Sequence, residues 1–497
     1  MTHDRLSATE LIRRVLDEGS FESWDTPPVD PTMSASYAEA LARARERTGL
    51  DEAVVTGAGT IRGRRVAVMA CEFGFLAGSI GVAAAERLTT AVERATRERL
   101  PLLSAPASGG TRMQEGTVAF VEMVTISAAI ARHKAAGLPY LVYLRDPTTG
   151  GVMASWGTLG HVTVAEPGAL LGFLGPRVYE AMYDEPFPAG VQTAENLYAH
   201  GLIDGVVTHD QLGDLLDRAL TILAPRDAAP EVPDPGDEPV TDVDTWTSVM
   251  ISRRPDRPGV RSVLKQAATD VIPLNGTGEG EADPGLLLAL ARFGESPCVV
   301  LGQDRRAQSE RHPLGPGALR EARRGMRLAA ELRLPLMSVI DTPGAALSVE
   351  AEEGGMAGEI ARCLADLVSL NAPTLCLLLG QGTGGGALAL LPADRVVAAQ
   401  HAWLSPLPPE GASAIVHRDL DHAAEMARDQ GVRSLDLQAV GIVDRIVAER
   451  PDAADEPEQF CARLGAVLRH ELAALMHHDP DELAHQRAHR YRRLGSR

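Results

Sequence analysis

Four short words recur in order along the chain at nearly constant spacing, and that recurrence confines it to a duplicated architecture. Arg99-Leu-Pro-Leu102 returns as Arg333-Leu-Pro-Leu336, and Leu138-Pro139 returns as Ala372-Pro373. The interval from Pro101 to Pro335 equals that from Pro139 to Pro373. Behind each second proline an apolar run ends in a glycine cluster. The first is Asp146-Pro-Thr-Thr-Gly-Gly-Val152, and the second is Gly380-Gln-Gly-Thr-Gly-Gly-Gly-Ala387. Gly201-Leu-Ile-Asp204 is echoed by Gly441-Ile-Val-Asp444. One match is chance; four in order imply two copies of one domain and two equivalent backbone sites.

Within each copy short apolar runs alternate with helical patterns. Strands are predicted at 53–55, 66–69, 100–104, 140–144 and 162–165, with helices over 83–97 and 118–136. In the second copy strands fall at 298–301, 335–340, 374–379 and 395–398, with helices over 318–332 and 356–370. Two further helices, at 10–16 and 37–47, precede the first copy. This alternation predicts an α/β fold with mostly buried sheets. Residues 226–245 are rich in Pro and acidic residues, which reads as a solvated linker between domains at 1–225 and 246–497. The charged end 481–497 reads as a helical or frayed tail.

The 497 residues, 45% of them apolar, are enough for two ordinary cores. An excess of 67 acidic over 48 basic residues, a net charge of −19, argues against nucleic-acid or anionic-membrane binding. Five cysteines without a Cys-x-x-Cys pair suggest free thiols in a reducing cytoplasm, with no zinc ribbon. The uncharged stretch 373–392 resembles a membrane span in hydropathy. Its five central glycines fit a buried strand, a glycine loop and a helix start better.

Each glycine cluster follows a strand and leads into a helix-like stretch. Free N–H groups at a helix start are unpaired donors, and glycine lets a ligand oxygen approach them. That is the hardware of an oxyanion hole; tight turns or close helix–sheet packing would use the same residues. A second strand-end loop precedes each cluster, Ser108–Gly116 in one copy and Asp341–Ala345 in the other. Such loops are where open α/β sheets place ligands. Arg112 and Glu115 there suit either a ligand contact or a local ion pair that caps the helix. No P-loop lysine, no Gly-x-Ser-x-Gly elbow and no metal-ligand spacing occurs, and His133, His161 and His401 stand alone. Two backbone oxyanion holes without an acid–base side chain suit enolate chemistry on a thioester.

These strings resemble the carboxyltransferase component of bacterial acetyl-CoA carboxylase, with β-subunit sequence fused ahead of α-subunit sequence. The β-like words include Phe75-Leu-Ala-Gly-Ser-Ile-Gly81, Ser108–Gly116 and Asp146–Ser155; the α-like words include Ile340-Asp-Thr-Pro-Gly-Ala345, Gly384–Ala389 and Pro409-Glu-Gly411. The resemblance implies two tandem crotonase-like β-β-α superhelical domains, the first binding acyl-CoA and the second carboxybiotin. It places the enolate oxygen at Gly150 and Gly151, and the biotin ureido oxygen at Gly386 and Ala387 beside Gly385. Gly109, Gly110, Arg112, Gly344 and Ala345 would complete the substrate loops. It further implies acetyl-CoA or a related short acyl-CoA as acceptor, malonyl-CoA as product, and no metal. A biotin carboxyl carrier protein and a biotin carboxylase would be partners, because no Met-Lys-Met attachment site or ATP-grasp signature is present. The site would be built across a homo-oligomer interface, a dimer in the simplest case. The chain departs from the α-like pattern at Ala346-Leu347-Ser348, where the family continues Tyr-Pro-Gly, and at Ala412. Related decarboxylase-type chemistry, or a silent scaffold, are the alternatives this leaves.

Overall fold

The computed structural model describes residues 5–29, 34–223, 229–309 and 312–496. The chain divides into two compact units, 1–225 with 278–280, and 226–277 with 281–497. Each unit is built on one mixed sheet. Among the described residues the first sheet runs, in spatial order, through Glu22–Ser23, Val54–Ile61, Arg64–Cys71, Leu102–Ala105, Tyr140–Leu144, Val162–Ala165 and Gly205–Val206. The second runs through Asp270–Leu274, Leu286–Phe293, Ser296–Gln303, Leu336–Thr342, Thr374–Thr383, Arg395–Ala399 and Arg445–Val447. In both, antiparallel strands at one side give way to parallel strands joined by helices. These are two copies of one α/β plan, as the recurring words predict.

The repeated words have structural jobs. Arg99 and Arg333 both take left-handed backbone, φ +53° and +54°, just past the helices Val82–Arg97 and Pro316–Leu332. The next residue then bonds back, Leu100 N to Ala95 O and Leu334 N to Ala329 O, both at 2.9 Å. A left-handed residue is the common way to stop a helix and turn the chain. The aspartates of the Gly-x-x-Asp words lock strands: Asp204 accepts from Thr163 N at 2.8 Å, and Asp444 accepts from Val396 N at 2.7 Å.

The helix Val82–Arg97 buries Ala84, Ala85, Leu88, Ala91, Val92 and Ala95 at helical spacing against the first sheet. Several elements escape the periodicity reading, among them the helices His209–Leu223 and Pro457–Leu475 and the strand Asp270–Leu274. The strand Val54–Ile61 runs on through Gly57 and Gly59, and Leu286–Phe293 forms a strand where none is predicted. A Cβ at Gly57 would stand 2.4 Å from Glu22 O, and one at Gly59 would stand 2.6 Å from a Leu16 methyl. These glycines mark close packing over a continuing strand, not its end.

The acidic stretch has no helix or strand over 229–244 and is largely exposed. It is nevertheless pinned: Asp234 and Asp237 pair with Arg445 at 2.8 and 2.9 Å, Glu238 with Arg450 at 2.7 Å, and Asp242 with Arg433 at 2.6 Å. The tail is anchored as well. On the helix Pro480–Arg490, Arg487 is buried and donates to the carbonyls of Leu367, Leu370 and Ala372 and to Asp394. No helix among the described residues is long and apolar enough to cross a membrane.

Candidate active site

Each glycine cluster opens a short helix, Gly150–Met153 in the first unit and Gly384–Leu388 in the second. The preceding threonine is extended, φ −138° at Thr149 and −110° at Thr383. The first glycine then turns left-handed, φ +63° at Gly150 and +65° at Gly384, which glycine adopts without a Cβ penalty. Gly150 and Gly384 are separated by the same interval as the paired prolines. A second short parallel ladder steadies each entry: Thr148–Thr149 pairs with Leu171–Gly172, and Gln381–Thr383 pairs with Trp403–Ser405.

In a helix the first-turn N–H groups have no internal acceptor, and the dipole favours negative charge there. Those positions are Gly150, Gly151 and Val152, and Gly384, Gly385 and Gly386. Gly150, Gly151, Gly384 and Gly385 are partly exposed, whereas Gly386 and Ala387 are buried. Gly384 lies outside the set chosen from sequence, although the constant interval marks it as the match of Gly150. Ala387 is the fourth helical residue, where an N–H ordinarily turns back to the residue before the helix.

The neighbouring loops repeat the same construction. Ser108 Oγ accepts from Gly110 N at 3.0 Å, and Thr342 Oγ1 accepts from Gly344 N at 3.2 Å. Isolated bridges join Ile80 to Thr111 and Leu314 to Ala345. These loops press on the glycine helices backbone to backbone. A Cβ on Gly110 would come 3.1 Å from the Gly151 nitrogen, and one on Gly150 would come 3.2 Å from Gly109 O. A Cβ on Gly386 would come 3.4 Å from the Ala345 nitrogen. The structure therefore brings Gly109, Gly110, Gly150 and Gly151 together, and Ala345 together with Gly386. Gly344, at φ +140°, lies in the same loop as Ala345.

Arg112 has a different place. It is 1% exposed and donates to Glu52 through both terminal nitrogens, to Glu115 at 3.3 Å and to the Ser79 carbonyl at 2.7 Å. Glu115 also accepts from the Val82 N–H at 2.6 Å, capping that helix, and from the Tyr37 hydroxyl. Burial, helped by the Glu115 contact, pushes the Tyr37 hydroxyl up to about 12. Of the two roles open to Arg112, the structure supports the ion pair: the residue braces the loop from inside and does not present its charge to a ligand. Glu52, 60 residues earlier, is the partner that local reading misses.

Beneath the second loop, Asp341 is buried and accepts from Gln381 N at 3.2 Å. Burial raises its carboxyl from 3.8 to about 6, despite Arg305 3.7 Å away. The three histidines belong to the cores. His133 contacts Thr96 and Pro139 O and is held down to about 4 by burial, His161 accepts from Tyr140 N, and His401 meets Ser248 and Pro451 O. Among the described residues no three His, Cys, Asp or Glu side chains are grouped to hold a metal ion. What the loops offer is two sets of main-chain donors for two oxygens.

The carboxyl transferase domain model matches residues 2–485. A Mycobacterium tuberculosis (strain H37Rv) protein named a probable biotin-dependent acyl-coenzyme A carboxylase beta3 subunit is 63% identical over 494 residues, 99% of each chain. Acetyl-coenzyme A carboxylase carboxyl transferase subunits beta/alpha of Salinispora arenicola is 38% identical, covering 99% of this chain and 91% of that one. Among solved structures, transcarboxylase 12S with methylmalonyl-coenzyme A and methylmalonic acid bound aligns at TM-score 0.75 and 22% identity, over 95% of this chain and 89% of the other. A single-chain, multi-domain long-chain acyl-CoA carboxylase aligns at TM-score 0.71 and 18% identity, over 92% of this chain and 46% of that one. Those structures share the two-domain crotonase-like fold. With its matches running nearly end to end, the chain belongs to the biotin-dependent acyl-CoA carboxyltransferase family.

Proposed function

We propose that the protein transfers a carboxyl group from carboxybiotin, carried on a separate carrier protein, to a short acyl-CoA, with acetyl-CoA giving malonyl-CoA as the leading case. The observation that carries this reading is the pair of glycine helices, matched at the repeat interval and each opening on first-turn N–H groups that have no acceptor within the helix and no side-chain cap. Gly150 and Gly151 would hold the thioester oxygen as it gains enolate charge. Gly384, Gly385 and Gly386, with Ala387 behind them, would hold the ureido oxygen. Each well-placed donor is worth about 3–4 kcal/mol to such a transition state. Carboxybiotin supplies the carboxyl group and, once that has left, a nitrogen able to take the α-proton. This chain then needs no side-chain base of its own, which agrees with His133, His161 and His401 lying in the cores.

Assembly is part of the reading. On the helix Gly116–Ala135, Val118, Phe120, Val121 and Val124 are each more than half exposed, directly after the first substrate loop. So large an apolar face beside a site supports a second protomer covering it, a dimer in the simplest form. A cytoplasmic setting, with a biotin carboxylase recharging the carrier, completes the proposal. The test is to incubate purified protein with carboxybiotinylated carrier and acetyl-, propionyl- or butyryl-CoA. Transfer to one of them establishes the reaction and its chain length. Release of CO2 from malonyl-CoA without net carboxylation would point to the decarboxylase-type alternative. Complete silence would favour a scaffold altered at Ala346–Ser348, where Leu347 projects outward and Ser348 caps the helix Val349–Glu353.

A further inference from the structure

Gln303 ends the strand Ser296–Gln303 and is fully enclosed. Its Nε2 donates to the Gly386 carbonyl at 2.7 Å, and its Oε1 accepts from the Asp341 N–H at 3.2 Å. The Gly386 carbonyl would ordinarily receive the N–H four residues on, but Leu390 N is bonded to Ala387 O at 3.2 Å instead. One side chain thus ties the third peptide of the glycine helix to the strand leading into the Gly344-Ala345 loop. Three consecutive glycines have the greatest backbone freedom to lose, so their N–H directions need an outside brace. A buried amide with both ends satisfied fixes such a geometry, because every alternative leaves a polar group unpaired.

The first unit is braced differently. Matched by sheet register, with Ala67 beside Leu102 and Val299 beside Leu336, the position of Gln303 is taken in the first sheet by Cys71, whose thiol is only a weak donor and acceptor. There the carbonyl of Val152, the match of Gly386, is held locally, by the Ser155 N–H at 3.3 Å. The second loop alone relies on a side chain 83 residues distant in sequence.

We propose that Gln303 is a positioning residue for the second glycine loop, holding its donors in line for the ureido oxygen; the role of that oxygen rests on the carboxyltransfer reading above. Gln303→Met, which keeps the length of the side chain and removes both polar ends, should lower kcat/KM for carboxybiotinylated carrier by about tenfold or more while KM for acyl-CoA stays unchanged. Hydrogen exchange should quicken over 384–388 and remain the same over 150–153. Gln303→Glu supplies the rescue: its carboxylate cannot donate to Gly386, whereas the neutral acid has both a donor and an acceptor. Its activity should be depressed at high pH and recover relative to wild type as the pH falls, and it decides the matter if Gln303→Met does not fold. Equal losses toward both substrates, unchanged exchange over 384–388, or no recovery in Gln303→Glu would overturn the proposal. The exchange measurement uses no substrate. An inactive wild type would therefore sink the carboxyltransfer reading while exchange still decides the brace.

Discussion

Gly110 shows how much of the site rests on the absence of a single carbon. Its φ of +104° strains any other residue, and a Cβ would sit 3.1 Å from the Gly151 nitrogen, against a donor that the proposed reaction uses. Gly110→Ala should lower kcat by about a hundredfold or more with the fold retained, checked by turnover and circular dichroism on the same sample. Asp341 makes a separate prediction about pH. Its native carboxyl binds a proton up to about 6, while in the unfolded chain it does so only below its ordinary 3.8. The native state therefore holds the extra proton between those values, and stability falls as pH rises through that window, then levels off. Asp341→Asn keeps an acceptor for Gln381 N and never ionises. It should be more stable than wild type above pH 6, by on the order of 3 kcal/mol, with no advantage below about pH 4 in denaturant titrations.

At the level of elements, what the sequence reveals and what it hides divide along one physical line. A strand such as Tyr140–Leu144 is legible because an unbroken apolar run needs burial on both faces. The strand Val54–Ile61 is cut short in such a reading because Gly57 and Gly59 look like breakers, and only the crossing of Glu22 and Leu16 overhead explains them. In the site, the glycines at 150 and 151 are readable from local pattern. Arg112 is readable only as a charge, since Glu52 lies far off in sequence. Gly384 stands in the same local cluster as Gly385 and Gly386, and the repeat interval is what singles it out as the match of Gly150. The tail helix is another long-range case. Arg487→Ala would remove four anchoring partners and leave Asp394 buried without its cation, although Thr374 still donates to that carboxylate at 2.7 Å. The expected cost is about 3–5 kcal/mol, read from the unfolding midpoint in urea.

For the whole molecule, the exposed apolar helix face is the feature that a lone chain leaves uncovered. Phe120→Asp places a charge on that face at a side chain that is 61% exposed. If a second protomer covers it, sedimentation should show a smaller species and carboxyl transfer should fall in parallel. A normal assembly with normal rates would count against the oligomeric reading. The exposed ion pairs along 234–242 are individually weak, each about 0–1 kcal/mol, but all four acidic groups face arginines of the same unit. Ownership of that stretch follows. Were the coding region broken into two genes, residues 229–244 would belong at the start of the downstream product, because Arg433, Arg445 and Arg450 would otherwise lose Asp242, Asp234, Asp237 and Glu238 to a separate polypeptide.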